Sequence, residues 1–279
     1  MAGTLYLVGT PIGNLGDISP RALETLRGVD FIAAEDTRVT LKLLNRFEIK
    51  KPMICYFEHN RTEMGEKLLS RLLAGESCAL VTDAGMPAIS DPGEDIVRQC
   101  AAQGVTVCAI PGPSALVTAL ALSGLPTQRF CFEGFLSTTA KNRRERLDSL
   151  REETRTLIFY EAPHKLLRTL RDLLETFGDR DIALCRELTK VHEEIIRTTL
   201  SAALDRFSAP DSPPRGEFVL VLRGAEEPAA PALDTAAALA LVERLRGEGL
   251  SLREACRRAA ADTGYGKNEL YRLSLEKEG

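Results

Sequence analysis

The sequence predicts an α/β fold of two lobes that share a cleft, followed by a small helical segment. Short apolar runs, such as residues 4–8, alternate with amphipathic runs of helical period, such as residues 64–73. Such alternation is typical of α/β proteins. A turn at Gly124-Leu-Pro126 interrupts it, and a stretch rich in Ala and Pro at residues 224–232 ends it. We therefore expect a first lobe at residues 1–122, a second lobe at 123–224, and a helical segment at 233–279 after a linker.

The first lobe is predicted to contain five strands and four helices. Its strands are short apolar runs, at residues 4–8, 29–34, 53–57, 77–82 and 105–110. One helix begins at Ser19-Pro20, where a capping serine precedes a proline at the first helical position. Amphipathic period predicts three more helices, at residues 41–47, 64–73 and 94–102.

The second lobe continues the same alternation. Its predicted strands are residues 130–135, 156–160, 181–185 and 217–222, and its predicted helices are residues 142–153 and 165–177. Beyond the linker we expect helices at residues 236–246 and 267–275, with another opening at the capping box Ser251-Leu-Arg-Glu254 between them. Two short helices around the Gly264-Tyr-Gly266 turn fit a helix-turn-helix-like unit, but they equally fit an appendage that serves only packing.

The charge balance is acidic, whereas basic residues cluster locally. The chain of 279 residues carries 36 Lys and Arg against 40 Asp and Glu, and 44% of it is hydrophobic. This apolar fraction excludes wholesale disorder. The net charge of −4 argues against a protein that binds nucleic acid through its overall field. Basic tracts at residues 38–51, 141–146 and 244–272 nevertheless favour a localised path for a polyanion.

Several kinds of site and location are disfavoured by the sequence. The seven cysteines are scattered without a Cys-x-x-Cys pair, which is typical of a reduced, cytoplasmic protein. With only three histidines and no cysteine pair, we expect no metal site. The longest uncharged apolar stretch, residues 115–122, is shorter than the ~18–20 residues of a membrane helix. No signal-peptide pattern is visible at the start, so we expect no membrane partner.

Loops rich in Gly, Pro and polar residues follow five of the predicted strands. The first, residues 8–14, has neither dinucleotide-binding nor P-loop spacing and by itself indicates only a turn. The second, residues 82–93, offers two aspartates and free backbone groups to a polar ligand. The others lie at residues 110–115, 159–164 and 185–190. Because ligands of open α/β sheets bind at the carboxyl ends of strands, five such loops predict one small molecule in the cleft.

The motifs in these loops resemble those of a known family. VGTPIGNLGDIS, AEDTR, LVTDAGMPAISDPG, AIPGPSA, FYEAPHK, CRELTKVHEE and GEFVLV occur in this order over residues 4–223. They are similar to the class III S-adenosylmethionine-dependent methyltransferases of the tetrapyrrole methylase fold, and within these to a subgroup that modifies ribosomal RNA. The resemblance implies two α/β lobes, S-adenosylmethionine as the cofactor in the cleft between them, and a homodimer.

The resemblance also implies particular residues and a particular reaction. The implied cofactor contacts are Ile12, Asp83, Ala84, Gly85, Ala88, Ser114, Ala115, Glu161 and Leu188. The implied reaction is 2′-O-methylation of a cytidine ribose in the decoding region of small-subunit ribosomal RNA, either naked or in an assembled subunit. The residues that match the RNA-modifying subgroup rather than tetrapyrrole enzymes are Glu35, Asp36, Arg38, His59, Asn60 and Lys190.

Methyl transfer to a hydroxyl group requires the loss of a weakly acidic proton, and assistance with that step is typically worth about 10²–10⁴ in rate. The candidate proton acceptors are Glu35, Asp36, Asp83 and Lys190, and the sequence does not decide among them. Lys190 needs a depressed pKa for this role. The candidate RNA contacts are Arg38, His59, Asn60, Lys141, Arg144 and Arg146, of which the arginines and the lysine would hold phosphates.

Two other functions remain open from the sequence. Methylation of a tetrapyrrole precursor on the same scaffold predicts an apolar cleft of macrocycle size and no use for the basic tracts. A non-catalytic RNA-binding protein would have no need of intact Gly- and Pro-rich loops at all five strand ends.

Overall fold

The computed structural model describes residues 1–226 and 234–278. Its internal contacts divide the chain into two compact units, Met1–Ala225 and Glu226–Gly279. Both predicted α/β lobes lie in the first unit. Most of the predicted linker at residues 224–232 lies outside the described residues.

The first sheet is parallel throughout and is covered on both faces. Its strands are β1 (Thr4–Val8), β2 (Phe31–Ala34), β3 (Met53–Cys55), β4 (Cys78–Val81) and β5 (Thr106–Ile110), in the order β3-β2-β4-β1-β5. Helices α1 (Pro20–Gly28) and α2 (Thr37–Arg46) pack on one face, and α3 (Arg61–Leu73) and α4 (Glu94–Ala102) on the other. Every residue of β2 and β4 is buried, as expected for central strands of a parallel sheet.

Helix α5 (Ala115–Ser123) leads into a second, mixed sheet. Its strands are β6 (Phe130–Phe135), β7 (Thr156–Glu161), β8 (Asp181–Arg186), β9 (Glu194–Thr199) and β10 (Phe218–Leu222), in the order β6-β7-β10-β8-β9. Only β6 and β7 are parallel, and β10 runs antiparallel to both of its neighbours. Helices α6 (Ala140–Ser149), α7 (Leu166–Phe177) and α8 (Leu200–Ser208) cover one face, while α5 covers the other.

The structure confirms the predicted α/β class, with two sheets and a helical C-terminal segment. Strand β9 and helix α8 were not predicted, and α2 begins four residues earlier than expected because Asp36 caps it. The side chain of Asp36 accepts a hydrogen bond from the backbone N–H of Arg38. Helix α6 ends at Ser149 rather than at residue 153, so the last charged residues of that prediction lie in a turn.

The second unit consists of three helices around a small core. They are α9 (Thr235–Gly247), α10 (Leu252–Thr263) and α11 (Lys267–Glu278), and Val242, Ala255 and Leu270 are buried between them. The hydroxyl of Ser251 accepts a hydrogen bond from the backbone N–H of Glu254, as the capping box predicts. Among the described residues, no helix is long and apolar enough to span a bilayer.

Candidate active site

A cavity of about 350 Å³ opens in the first unit where the ends of strands from both sheets meet. This volume falls in the range of about 300–1,000 Å³ that is typical of small-molecule sites. All five predicted loops contribute to its lining or to its support. The sequence-predicted residues that line it are Ile12, Glu35, Asp83, Ala84, Gly85, Ser114, Ala115, Glu161, Leu188 and Lys190. Ala88 and Asp36 do not line it.

Two glycines bring the first and third loops into direct backbone contact. A Cβ atom on Gly112 would lie 2.8 Å from the Cα of Gly9, and one on Gly9 would lie 2.7 Å from the Cα of Gly112. These separations are too short for any side chain, so both positions require glycine. Gly13 serves a similar purpose toward the other lobe, because its Cβ would lie 2.5 Å from the Cγ of Lys190.

The loop after β4, residues 82–93, is held in a strained conformation beside the cavity. The backbones of Thr10 and Gly85 exchange two hydrogen bonds, of 2.9 and 3.1 Å, which tie this loop to the first. Ala88 and Ser90 adopt left-handed backbone conformations, with φ of 68° and 61°. Ala88 therefore supports the loop, its N–H bonded to the carbonyl of Pro92, rather than lining the cavity. Non-glycine residues in this region are strained, and such strain clusters at functional sites.

The loop after β8 shows the same kind of strain on the opposite side of the cavity. Glu187 and Thr189 have φ of 52° and 66°, and the β-branched Thr189 is especially disfavoured there. The backbone N–H of Thr189 is held by the carboxylate of Glu193 at 2.6 Å. The loops on either side of the cavity are therefore preorganised at a cost in backbone energy.

Three carboxyl groups from two loops gather at the cavity: Glu35 from the loop after β2, and Asp83 and Asp91 from the loop after β4. Glu35 follows β2, and its carboxylate accepts a 3.4 Å hydrogen bond from the backbone N–H of Asp83. Burial is the main cause that raises the pKa of both groups. The charge of Asp83 adds to the rise at Glu35, and the charge of Asp36 adds to the rise at Asp83. Burial first, and then the charges of Glu35 and Asp83, raise the pKa of Asp91 to about 7. Asp91 can therefore exchange a proton near neutral pH.

The side chain of Asp36 is engaged in contacts outside the cavity. Its carboxylate caps α2 and binds the guanidinium of Arg38 at 2.6 Å. These hydrogen bonds lower the pKa of Asp36 to about 2, so it stays ionised and is a weak base. The structure thus separates Asp36 from the cavity residues with which the sequence had grouped it.

Lys190 lines the cavity as a cation. Its ammonium group donates to the carboxylates of Glu187 at 2.9 Å and Glu217 at 2.8 Å. Partial burial acts to lower the pKa of Lys190, but the hydrogen bonds to Glu217 and Glu187 outweigh it and raise the pKa. A lysine base needs a shift in the opposite direction. Lys190 is therefore suited to positioning or charge stabilisation rather than to accepting a proton.

Glu161 connects the cavity to the outer helices. It is 3% exposed, and its carboxylate accepts hydrogen bonds from the Ala162 backbone N–H and the Thr169 hydroxyl. The buried guanidinium of Arg143 donates to the same Thr169 oxygen at 2.7 Å and pairs with Asp172. This network fully engages the Glu161 carboxylate, so its orientation at the cavity is fixed.

The predicted RNA contacts fall into two groups. Lys141 and Arg144 are exposed on α6, and both also line a groove between α6 and α7. Arg38 is likewise exposed, although it is paired with Asp36.

The other three predicted RNA contacts have internal partners. The amide of Asn60 accepts from the N–H of Phe57 and donates to the carbonyl of Cys55, while the ring of His59 meets that of Phe57 edge-on. Arg146 is paired with Glu133 at 2.6 Å. These contacts organise the protein, and the sequence alone does not reveal them.

Several lining residues were not predicted individually as cofactor, catalytic or RNA contacts. The most consequential are Asp91, Phe135, Tyr160, Glu187, Glu217 and Phe218. Asp91, Tyr160 and Glu187 lie in loops that the sequence predicts as part of the site, and the end of β6 could have pointed to Phe135. Glu217 and Phe218 carry no such signal, because they lie at the start of a strand.

The residues present fit S-adenosylmethionine, whose sulfonium and ammonium groups are cations. Six carboxylates and one lysine line the cavity, and Glu35, Asp83 and Asp91 are three of these carboxylates. Apolar contact surface comes from residues such as Ile12 and Leu188. An acidic, partly apolar cavity complements a cation that carries a flat aromatic base, and it repels phosphates. Among the described residues, no group of His, Cys, Asp or Glu is arranged to hold a metal ion.

Two lobes that share one small-molecule cavity at their strand ends define a class of cofactor-binding α/β enzymes. Comparison with known families makes the assignment specific. The family described as Tetrapyrrole (Corrin/Porphyrin) Methylases matches residues 4–204. The chain therefore belongs to the tetrapyrrole methylase family, and it is a methyltransferase.

Within the family, the chain is similar to curated proteins named Ribosomal RNA small subunit methyltransferase I. The protein from Synechocystis is 49% identical over 99% of both chains. That from Thermotoga maritima is 50% identical over 80% of this chain and 100% of its own. Among solved structures, uroporphyrin-III C-methyl transferase from Thermus thermophilus, complexed with S-adenyl homocysteine, covers 79% of this chain and 97% of its own, with a TM-score of 0.54 and 20% identity. At that identity the likeness shows a shared fold.

Proposed function

We propose that the protein transfers a methyl group from S-adenosylmethionine to small-subunit ribosomal RNA, at the 2′-hydroxyl of a cytidine ribose in the decoding region. The observation that carries this proposal is the acidic cavity at the strand ends, in a chain about half identical to relatives named for ribosomal RNA methylation. Its lining suits a cationic methyl donor, and exposed basic residues outside it suit RNA.

The chain's own residues hold the cofactor in this proposal. S-adenosylmethionine supplies a methyl group that is already activated, so no metal or covalent intermediate is needed. Gly9 and Gly112 let the first and third loops pack against each other, and Gly85 of the second loop lines the cavity where the cofactor would lie. Ile12 and Leu188 supply apolar contact, and carboxylates balance the positive charge. Rigid loops of this kind can contribute up to about 7–11 kcal/mol by aligning the reacting groups.

The proton of the ribose hydroxyl passes to a carboxylate of the cavity. All three carboxyl groups line the cavity, and we choose Asp91 among them because its pKa of about 7 suits proton exchange at neutral pH. Burial, and then the charges of Glu35 and Asp83, keep that pKa high, while Lys190 stays protonated between two glutamates. Asp36 is assigned no part in this step.

The methylated strand is held by basic residues outside the cavity. Lys141 and Arg144 are exposed on α6 and can bind phosphates without breaking internal contacts essential to the fold. Because the cavity itself is acidic, phosphates stay outside while a neutral ribose enters. We further propose that the enzyme acts in the cytoplasm and forms a homodimer. Sedimentation at several protein concentrations would test the homodimer.

A tetrapyrrole substrate is the second candidate, since the fold is shared with tetrapyrrole methylases. Against it stands the acidic lining, which would repel a macrocycle bearing carboxylate side chains. The chain's greater identity to proteins named for ribosomal RNA also favours the first candidate.

One assay separates the candidates. The protein is incubated with methyl-labelled S-adenosylmethionine and, in parallel, undermethylated small subunits, naked ribosomal RNA, and a tetrapyrrole precursor. We expect label in RNA and, after digestion, in a 2′-O-methylcytidine. Label in the tetrapyrrole alone, or in no acceptor, would overturn the proposal. Asp83→Ala should weaken cofactor binding, and unchanged affinity would argue against the assigned cavity.

A further inference from the structure

A bulge in β6 places two phenylalanines against the same tyrosine. Phe132 pairs with Ile158 of β7, whereas Gly134 pairs with Phe159 and Phe135 with Tyr160, so Glu133 is an extra residue. In a regular strand, residues three apart face opposite sides of the sheet. The extra residue reverses this, and the rings of Phe132 and Phe135 both meet Tyr160 edge-on, at 4.9 and 5.5 Å between centroids.

The bulge is fixed from both lobes. The carboxylate of its extra residue, Glu133, binds Arg146 of α6 at 2.6 Å. Gly134 has φ of 61°, and a Cβ there would lie 3.0 Å from the Oγ of Ser90, in the strained loop of the first lobe. β-Bulges beside active sites commonly re-aim a side chain, and here the side chain is Phe135.

The ring of Phe135 lines the cavity while remaining 60% exposed. It does not move freely, because it packs on Tyr160, whose hydroxyl accepts a 3.1 Å hydrogen bond from the Leu116 backbone N–H at the start of α5. An ion pair, a left-handed glycine and a bulge together hold this exposed aromatic ring at the cavity mouth. Such a ring has an open face that can stack on a flat partner.

We propose that Phe135 stacks on a base of the RNA strand whose ribose enters the cavity. This inference rests on the proposed function. Proteins that recognise single-stranded RNA do so by stacking unpaired bases on aromatic side chains. The acidic lining repels the phosphates of RNA, whereas an uncharged aromatic ring can contact a base. An aromatic ring is therefore a suitable contact for RNA at the mouth of this cavity. Lys141 and Arg144 of α6, the next helix along the chain, are available for the phosphates.

The test compares full-length variants in the RNA methylation assay. Phe135→Leu keeps apolar bulk but removes the ring, and we expect the KM for RNA to rise about 5- to 150-fold, which corresponds to the removal of one base–aromatic stack. The kcat at saturating RNA and the Kd for S-adenosylmethionine should change little. Phe135→Tyr should restore the KM. The matched control is Phe130→Leu, since Phe130 is 40% exposed at the other end of β6 and does not line the cavity.

A second measurement follows binding directly. A fluorescent cytosine analogue at the target position should change its emission when wild-type protein binds, and the change should disappear with Phe135→Leu. An unaltered KM and an unaltered fluorescence change in Phe135→Leu would overturn the stacking proposal. If the wild-type protein transfers no methyl group to RNA, the proposed function fails instead, so the two failures are distinguishable.

Discussion

Arg146 and Glu133 form an ion pair in which only the arginine is accessible to solvent. Their side chains are 57% and 4% exposed, and the closest nitrogen and oxygen atoms are 2.6 Å apart. The guanidinium that the sequence suggested for RNA is therefore already engaged, and its partner is the extra residue of the β6 bulge. This pair links the basic helix α6 to the placement of Phe135 at the cavity.

Removing Arg146 should destabilise the protein. Arg146→Ala leaves a nearly buried carboxylate without its partner, and we expect a decrease of about 1–3 kcal/mol in the free energy of unfolding, measured with urea. Glu133→Gln should cost less than Arg146→Ala, and the double variant should cost less than the sum of the two. The matched control is Arg144→Ala on the same helix, expected within about 0.5 kcal/mol of wild type. Strict additivity would contradict the pairing.

Lys141 and Arg144 should contribute to RNA binding mainly through charge. In the Lys141→Ala, Arg144→Ala double variant, we expect the slope of log affinity against log salt to shrink by about 0.7–0.9 for each phosphate that is no longer neutralised. Binding to small subunits or to RNA is measured at several salt concentrations. Lys67→Ala, which removes an exposed lysine of α3, is the control and should leave the slope unchanged. An unchanged slope in the double variant would place the RNA elsewhere.

A methyl group at Gly112 should disrupt the cofactor site. In Gly112→Ala the new Cβ would lie 2.8 Å from the Cα of Gly9 and 2.9 Å from its carbonyl oxygen, so the two loops must separate. We expect S-adenosylmethionine binding to weaken at least about tenfold and the free energy of unfolding to fall by about 1–3 kcal/mol. Calorimetry and urea unfolding measure these effects.

Gly28→Ala is the matched control for this clash. Gly28 ends α1, and no atom lies within 4 Å of its added Cβ. We expect it to bind the cofactor normally and to be as stable as wild type or slightly more so. If Gly112→Ala bound the cofactor as well as Gly28→Ala does, the close approach of the two loops would have no role in binding.

Asp91 should make stability depend on pH. Its pKa is about 7 in the folded protein and about 3.9 in an unfolded chain, so the folded state binds the proton more tightly. The resulting contribution to stability is fully present below about pH 4 and is lost as pH rises through about 7. Asp91→Asn removes this loss, so the stability of the variant relative to wild type should increase between pH 4 and 8. We expect an increase on the order of 1 kcal/mol, because solvent screens a half-buried group.

Asp91→Asn should also remove the rising limb of the plot of kcat against pH. If Asp91 accepts the hydroxyl proton, wild-type kcat rises with pH through about 7, and the variant loses about 10²–10⁴ in rate together with that limb. Asp36→Asn keeps a capping side chain and should retain the wild-type profile, because Asp36 lies outside the cavity. A wild-type profile in Asp91→Asn would reassign the proton acceptor to Glu35 or Asp83.

Much of the fold follows from local patterns. Parallel strands such as β4 are short and apolar because both faces are covered, and the loop carrying Asp83 and Gly85 stands out between such a strand and an amphipathic helix. Since carboxyl ends of parallel strands share an edge, the convergence of these loops was predictable. Helix α8 was harder to predict, because it begins at Leu200 directly after β9 ends at Thr199, with no turn between the two elements.

Other parts of the site depend on tertiary relationships that no local pattern contains. Glu217 and Phe218 reach the cavity from the start of β10, because β10 is antiparallel to its neighbours and its amino end meets their carboxyl ends. Phe135 reaches it through one extra residue in β6. Asp91 is visible in the sequence, but its raised pKa comes from burial in the folded protein and then from the charges of Glu35 and Asp83 nearby.

The cavity is completed late during synthesis of the chain. Its lining extends from Ile12 to Val219, so about two hundred residues separate its first and last contributors along the chain. At a synthesis rate of about 5–20 residues per second, roughly 10 to 40 s pass between them. Throughout that interval the nascent chain lacks β10, the strand that completes the cavity wall. Any product of premature termination before β10 would therefore be catalytically inert, however well its first lobe folds.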